Sequence, residues 1–168
     1  MQVCLTGATG FIGANVARAL LARGDQVRCI IRKPGPCIEG LDVETVTVPL
    51  APSSPEERDA LARAVDGCEA ILHVAGLFDP SPGGEARMSS VHVDATQALC
   101  EAGVQAGVRR LVLCSSSVTV GFGPAHAPGD EDSGIDADRI YGRSGALRVP
   151  PAGRAWSLPA WAKRKAIL

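Results

Sequence analysis

The sequence predicts an α/β domain built as a doubly wound parallel sheet in three layers, αβα. Three observations lead there. Short apolar runs suited to buried strands alternate with stretches of helical periodicity along the first two thirds of the chain. Glycines at 7, 10 and 13 punctuate the first passage from strand to helix. Hydrophobic residues make up 46% of 168 residues, about one domain's worth of chain with enough apolar material for a core.

Each element can be justified in order. Val3-Cys4-Leu5 is an apolar run that suits a buried strand, and Thr6 to Gly10 is a tight turn. Phe11 to Arg23 has helical periodicity, with Ile12, Val16, Ala19, Leu20 and Ala22 apolar, and Gly24-Asp25 stops it. Gln26 to Ile31 is the second strand, closed by Arg32-Lys33-Pro34, because proline cannot continue a ladder. Glu44 to Val48 alternates as a third strand. Ser54 is the N-cap and Pro55 the first residue of a helix that runs to Val65 and ends at Asp66-Gly67. Ala70 to Val74 is the fourth strand, followed by the small pair Ala75-Gly76. A loop containing Pro80, Pro82, Gly83 and Gly84 leads to a long helix over 86–106, and Arg109 to Ser115 is the fifth strand. A Gly-, Pro- and Asp-rich loop over 121–138 precedes a short helix near Arg139 or Tyr141.

Composition excludes several classes. The net charge of −1 asks for neither nucleic acid nor an anionic membrane. No apolar run approaches the ~20 residues of a membrane span. The chain enters a strand at once, with no basic leader, so a cytoplasmic protein without a signal peptide is expected. Six cysteines (4, 29, 37, 68, 100, 114) show no C-x-x-C pairing. Cys4, Cys29 and Cys114 lie in apolar strand runs and read as core thiols, not as zinc ligands or disulfides, so no metal site is expected. Charge is unevenly spread: residues 1–138 carry 18 acids and 10 bases, whereas 139–168 carry 7 bases and no acid.

The glycine spacing G-x-x-G-x-x-G follows a strand and opens a helix, the context a dinucleotide site requires. Gly7 suits a turn at positive φ, Gly10 admits a phosphate to the backbone, and Gly13 lets the helix lie close to its strand. The helix start offers N–H groups and a positive dipole end to a pyrophosphate. Arg32 stands 19 positions beyond Gly13, where an acid would hold the adenosine ribose and a base would accept a 2′-phosphate. With Lys33 beside it, NADP is expected, with NAD as the alternative. The competing reading of Arg32 is a solvated charge at a strand end.

Thr6-Gly-Ala-Thr-Gly-Phe-Ile-Gly13, His73-Val-Ala-Gly76, Ser115-Ser-Ser117 and Tyr141-Gly-Arg-Ser144 together resemble the extended short-chain dehydrogenase/reductases, the NAD(P)-dependent epimerase/dehydratase family. Within it the chain is most similar to the dihydroflavonol-reductase and hydroxysteroid-dehydrogenase-like branch and to sugar-nucleotide epimerases. The resemblance covers residues 1–144 and implies a Rossmann-type domain. It implies that Gly7, Gly10, Phe11, Ile12 and Gly13 cradle the pyrophosphate and that Ala75 and Gly76 pass the nicotinamide ribose. Ser116 matches the catalytic serine that holds the substrate oxygen, with Ser117 the alternative by one residue. Tyr141 matches the general acid/base, which also borders the cofactor. A small-molecule alcohol or ketone is the implied substrate: a sugar nucleotide, flavonoid or steroid-like molecule. A homodimer through the long helix and the tyrosine helix is an option that the family often takes.

Three positions depart from the family pattern. Pro49-Leu50 stands where an acid-leucine pair is usual, and His92 stands where the long helix usually has asparagine. His92 reads as a tolerated substitution or as a proton carrier; His73 reads as structural. The third departure is at Gly145, one helical turn after Tyr141, where the family has lysine. That ammonium lowers the tyrosine pKa, and an unperturbed tyrosine at a pKa near 10 is only about one part in a thousand ionised at pH 7. The chain's lysines (33, 163, 165) are out of register, and Arg148, two turns on, is the remaining nearby cation. Residues 145–168 hold both tryptophans and no acid, lack the periodicity of a further strand, and read as an atypical basic tail, poorly ordered. The expectation is a truncated chain without a substrate domain, frame-shifted after Ser144, with a basic tail or a divergent relative as alternatives. The parallel sheet is then incomplete at its C-terminal side, its fifth strand an unpaired edge prone to association. Two functions follow: an oxidoreductase or epimerase, or a dinucleotide-binding module or fragment without catalysis.

Overall fold

A computed structural model describes residues 1–115 and 126–127. Five parallel strands run in the order β3-β2-β1-β4-β5: β1 Gln2–Thr6, β2 Gln26–Ile31, β3 Glu44–Thr47, β4 Ala70–His73 and β5 Arg110–Leu113. The helices are α1 Phe11–Ala22, α2 Pro55–Val65, α3 Gly84–Ser89 and α4 Ala95–Gln105, with a 3₁₀ turn at Pro36–Ile38. The expected doubly wound Rossmann-type sheet is present.

Period-2 alternation in buried strands divides the core between two faces. Val3 and Leu5 of β1 and Val27, Cys29 and Ile31 of β2 meet Ala14, Ala17 and Leu20 of α1 on one side. Cys4, Ile30 and Ile71 point the other way, against Leu61 and Val65 of α2 and Leu99 and Cys100 of α4. Helices on both faces of one sheet give the three αβα layers.

Two joints fix the helices. Ser54 accepts the Glu57 N–H at 3.3 Å, so α2 begins with a side-chain cap followed by Pro55, as the sequence predicts. At its other end Arg28, reaching from β2, donates from Nη1 to the Ala64 and Asp66 carbonyls at 3.2 and 2.7 Å. The same guanidinium bridges to Glu44 of β3 at 2.7 Å. One arginine thus satisfies a helix end and ties two strands to it.

The structure corrects three expectations. The apolar face of α1 is Gly13, Ala14, Ala17 and Leu20, while Ile12, Ala19 and Ala22 are exposed. Small residues line this face where the helix begins because it is pressed against the glycine turn there, and the larger Leu20 follows two turns on. The long helix is interrupted: Ser90–Asp94 winds as a π segment between α3 and α4. There the Thr96 hydroxyl donates to the His92 carbonyl at 2.8 Å, a side-chain bond that bends helices. Cys114 lies beyond β5 and is exposed, whereas Cys4, Cys29, Cys68 and Cys100 are buried. Burial pushes the Cys29 and Cys100 thiols up to about 11, leaving them protonated and inert.

No helix among the described residues is long and apolar enough to cross a membrane. The expected tyrosine helix and the tail lie outside the described residues.

Candidate functional site

In an open parallel sheet, a crevice forms at the carboxyl ends of two neighbouring strands whose connections leave in opposite directions. Here those strands are β1, which leads to β2 on one side, and β4, which leads to β5 on the other. The glycine turn lies at that crevice.

Steric space separates the three glycines. Gly7 has φ +76°, and a Cβ on it would lie 2.6 Å from the Ala75 nitrogen, so the turn abuts the end of β4. A Cβ on Gly13 would lie 2.1 Å from the Gly7 carbonyl oxygen, so α1 is pressed onto the turn. Both are glycine because the protein's own backbone fills the space. Gly10 differs. Its added Cβ would meet only the Gly7 oxygen, at an ordinary 3.4 Å. Its φ of −93° suits any residue, and it is exposed. Nothing among the described residues demands glycine there.

The helix start is open. Gly10 N–H bonds the Gly7 carbonyl and Ala14 N–H bonds the Gly10 carbonyl, both at 3.0 Å. Between them, the N–H groups of Phe11, Ile12 and Gly13 find no acceptor among the described residues, and Gly10 has no side chain to cap them. No acid occupies the first turn of α1. The Phe11 and Ile12 side chains are exposed. A positive dipole end and free donors stand together here, the combination that an anion requires.

Beside it, the chain leaving β2 carries exposed Arg32 and Lys33. The following residues dock onto the same corner: Gly35 lies against Thr9, where a Cβ would stand 3.1 Å from the Thr9 Cβ. Arg18 of α1 donates to the Cys37 carbonyl at 2.9 Å. Neither Arg32 nor Lys33 is engaged by an acid among the described residues.

Across β1, the end of β4 is held by a buried polar knot that the sequence reading missed. Thr6 and His73 are register partners. Thr6 Oγ1 lies 2.6 Å from His73 Nδ1 and accepts the Ala75 N–H at 3.2 Å. Burial, reinforced by the charge of His92, lowers His73 to about 4, so the ring is neutral near pH 7. His73 is therefore structural, as expected, and its partner Thr6 steers Ala75-Gly76 past the glycine turn. The signal available in sequence was a hydroxyl residue immediately before the first glycine. His92 reaches the same loop: its Nε2 lies 2.8 Å from the Leu77 carbonyl oxygen and 3.3 Å from the Leu77 nitrogen.

The structure brings Gly7, Gly10, Phe11, Ile12, Gly13, Ala75 and Gly76 to one crevice, with Arg32 at the end of the adjoining strand. Ser116, Ser117, Tyr141, Gly145 and Arg148 lie outside the described residues. Among the described residues no cluster of His, Cys, Asp or Glu could hold a metal ion.

A family model described as "NAD dependent epimerase/dehydratase family" matches residues 3–146. The chain is 37% identical over 129 residues to the sterol demethylase protein B of Methylococcus capsulatus, covering 76% of this chain and 38% of that protein. It is 35% identical over 136 residues to a 3-beta-hydroxysteroid dehydrogenase of Mycolicibacterium neoaurum, covering 77% and 36%. A solved short-chain dehydrogenase/reductase superfamily protein from Agrobacterium tumefaciens with bound NAD superimposes with a TM-score of 0.68 at 31% identity, covering 86% of this chain and 42% of that one. The chain thus spans about two fifths of the length of these relatives.

Proposed function

Since the chain belongs to the NAD dependent epimerase/dehydratase family of short-chain dehydrogenase/reductases, we propose that it binds NADP in the crevice between β1 and β4 and serves hydride transfer at a secondary alcohol or ketone. The observation that carries this is Gly10, a glycine for which the fold has no use, standing before three N–H groups with no protein acceptor. A pyrophosphate fits both facts: it needs the donors, and it needs a residue without a side chain for close approach.

The residues divide the work by strand. Phe11, Ile12 and Gly13 bind the pyrophosphate through their N–H groups. Arg32 takes a ribose 2′-phosphate, and Ala75 and Gly76 border the nicotinamide ribose. The nicotinamide supplies a hydride acceptor or donor when bound. Tyr141 exchanges a proton with the substrate's oxygen while Ser116 holds that oxygen by a hydrogen bond. The relatives with steroid and sterol names support a substrate whose hydroxyl or keto group is carried on a large apolar skeleton.

Titration of the purified chain with NADP and NAD tests the cofactor reading. NADP should bind more tightly, and Arg32→Ala should weaken NADP by about ten- to a hundred-fold while sparing NAD, the worth of one charge-assisted contact. Equal binding of both, or an Arg32→Ala chain with unchanged preference, rejects the NADP assignment.

A second reading is a dinucleotide-binding module without catalysis. Gly145 favours it, because no ammonium stands one turn beyond Tyr141 to lower the phenol's pKa. Gly145→Lys separates the two. Gain of turnover with cofactor binding unchanged supports a weak enzyme, and no gain with cofactor still bound supports the module.

A further inference from the structure

The strand order lays the crevice out from one side to the other. Arg32 follows β2, the glycine turn follows β1, Ala75-Gly76 follow β4, and β5 ends at its far side. The loop after β4 therefore lies on the side away from Arg32. Two residues past Gly76, that loop presents Phe78, which is 72% exposed.

An exposed aromatic ring is ordinary by itself. What sets Phe78 apart is that the backbone on both sides of it is fixed. Before it, His92 Nε2 holds the Leu77 backbone by one hydrogen bond, to the carbonyl oxygen at 2.8 Å when Nε2 carries the proton or from the N–H at 3.3 Å when it does not. His92 stands in the π segment Ser90–Asp94, a winding that re-aims side chains within a helix. After it, the Asp79 N–H donates to the Met88 sulphur at 3.4 Å. The Asp79 carboxylate accepts from Arg87 Nε at 2.7 Å, from the Ser81 N–H at 3.1 Å and from the Ser81 hydroxyl at 2.5 Å. Gly84 closes the loop, since a Cβ there would stand 2.0 Å from the Asp79 carbonyl oxygen. The loop is thus clamped by hydrogen bonds at Leu77 and Asp79 while the ring between them stays in water.

We propose that Phe78 is a specificity-determining residue, the apolar face against which the substrate's carbon skeleton lies at the β4 side of the crevice. This rests on the oxidoreductase reading above. A ring on a clamped backbone loses little conformational freedom when a ligand covers it, so the gain from burying both apolar surfaces is kept. The charges flanking it are spent on each other: the Arg87 guanidinium beside Asp79 holds that carboxyl well below the usual carboxylate range. The loop consequently presents carbon, not charge, and selects a polycyclic or aromatic ketone over a polar sugar nucleotide.

The test uses the full chain loaded with NADPH and titrated with progesterone, a polycyclic ketone, and in parallel with UDP-glucose. Cofactor fluorescence reports binding. The wild type should bind progesterone. Phe78→Ala should weaken that binding about ten-fold or more, the loss expected for one buried aromatic face, with NADPH affinity unchanged. Phe78→Tyr should restore it. Because the side chain is exposed, the melting temperature of Phe78→Ala should match the wild type. Progesterone binding indifferent to Phe78→Ala overturns the inference, as does binding of UDP-glucose in its place or a parallel loss of NADPH affinity. A wild-type chain that fails to bind NADPH rejects the proposed function and this inference together. One that binds NADPH while Phe78→Ala changes nothing rejects this inference alone.

Discussion

At the residue scale, the buried pair Thr6 and His73 couples the site's geometry to protons. His73 is 1% exposed and is held neutral, its pKa lowered from 6.5 to about 4 by burial and then by the charge of His92. The unfolded chain takes up a proton near pH 6.5 and the folded chain only near 4. Stability from the neutral ring is therefore complete above pH 6.5 and is lost as pH falls towards 4. Urea unfolding at pH 7 and pH 4.5 should show the wild type losing about 2–3 kcal/mol more between those pH values than His73→Asn, which has no such proton to gain. Equal losses would mean that His73 does not carry this pH dependence. The structural part of His73 was legible, since a histidine at the end of an apolar strand run reads as buried. Its partner was not, because Thr6 lies 67 residues away and only strand register brings the two side chains together.

At the scale of elements, the strand–turn–helix junction was the most legible part of the chain, for local reasons. A strand, three spaced glycines and a helical period are contiguous in sequence, and so is the site that they form. Yet the three glycines are not equivalent, and this gives a prediction. Gly13→Ala should destabilise the fold by about 3 kcal/mol or more, since its Cβ has no room beside the Gly7 carbonyl. Gly10→Ala should keep stability within about 1 kcal/mol, because the fold leaves that space open. It should instead cost NADPH affinity. Chemical denaturation and NADPH titration of both variants would show the split, and a Gly10→Ala chain binding NADPH as the wild type does would remove the pyrophosphate from that position. The capped helix α2 was read correctly because Ser54, Pro55 and Gly67 are local signals. The π segment in the long helix was not, since it coincides with a side-chain bond from Thr96 and a contact to the β4 loop, neither of which periodicity records.

At the scale of the whole molecule, the order β3-β2-β1-β4-β5 brings separate local signals to one crevice. It sets the Arg32 side, the glycine turn and the Ala75-Gly76 side in sequence across one sheet edge. It also divides the core, so that α1 packs on one face and α2 with α4 on the other. The sequence by itself determined the strands, most helix boundaries, the glycine turn and the family, because these depend on neighbours in the chain: apolar period, turn chemistry and a contiguous motif. Only the tertiary structure decided which glycine the fold can spare, what holds the β4 loop and where Phe78 is presented. Those are contacts between segments far apart in the chain, fixed by strand register and close packing, and a linear pattern carries no record of them.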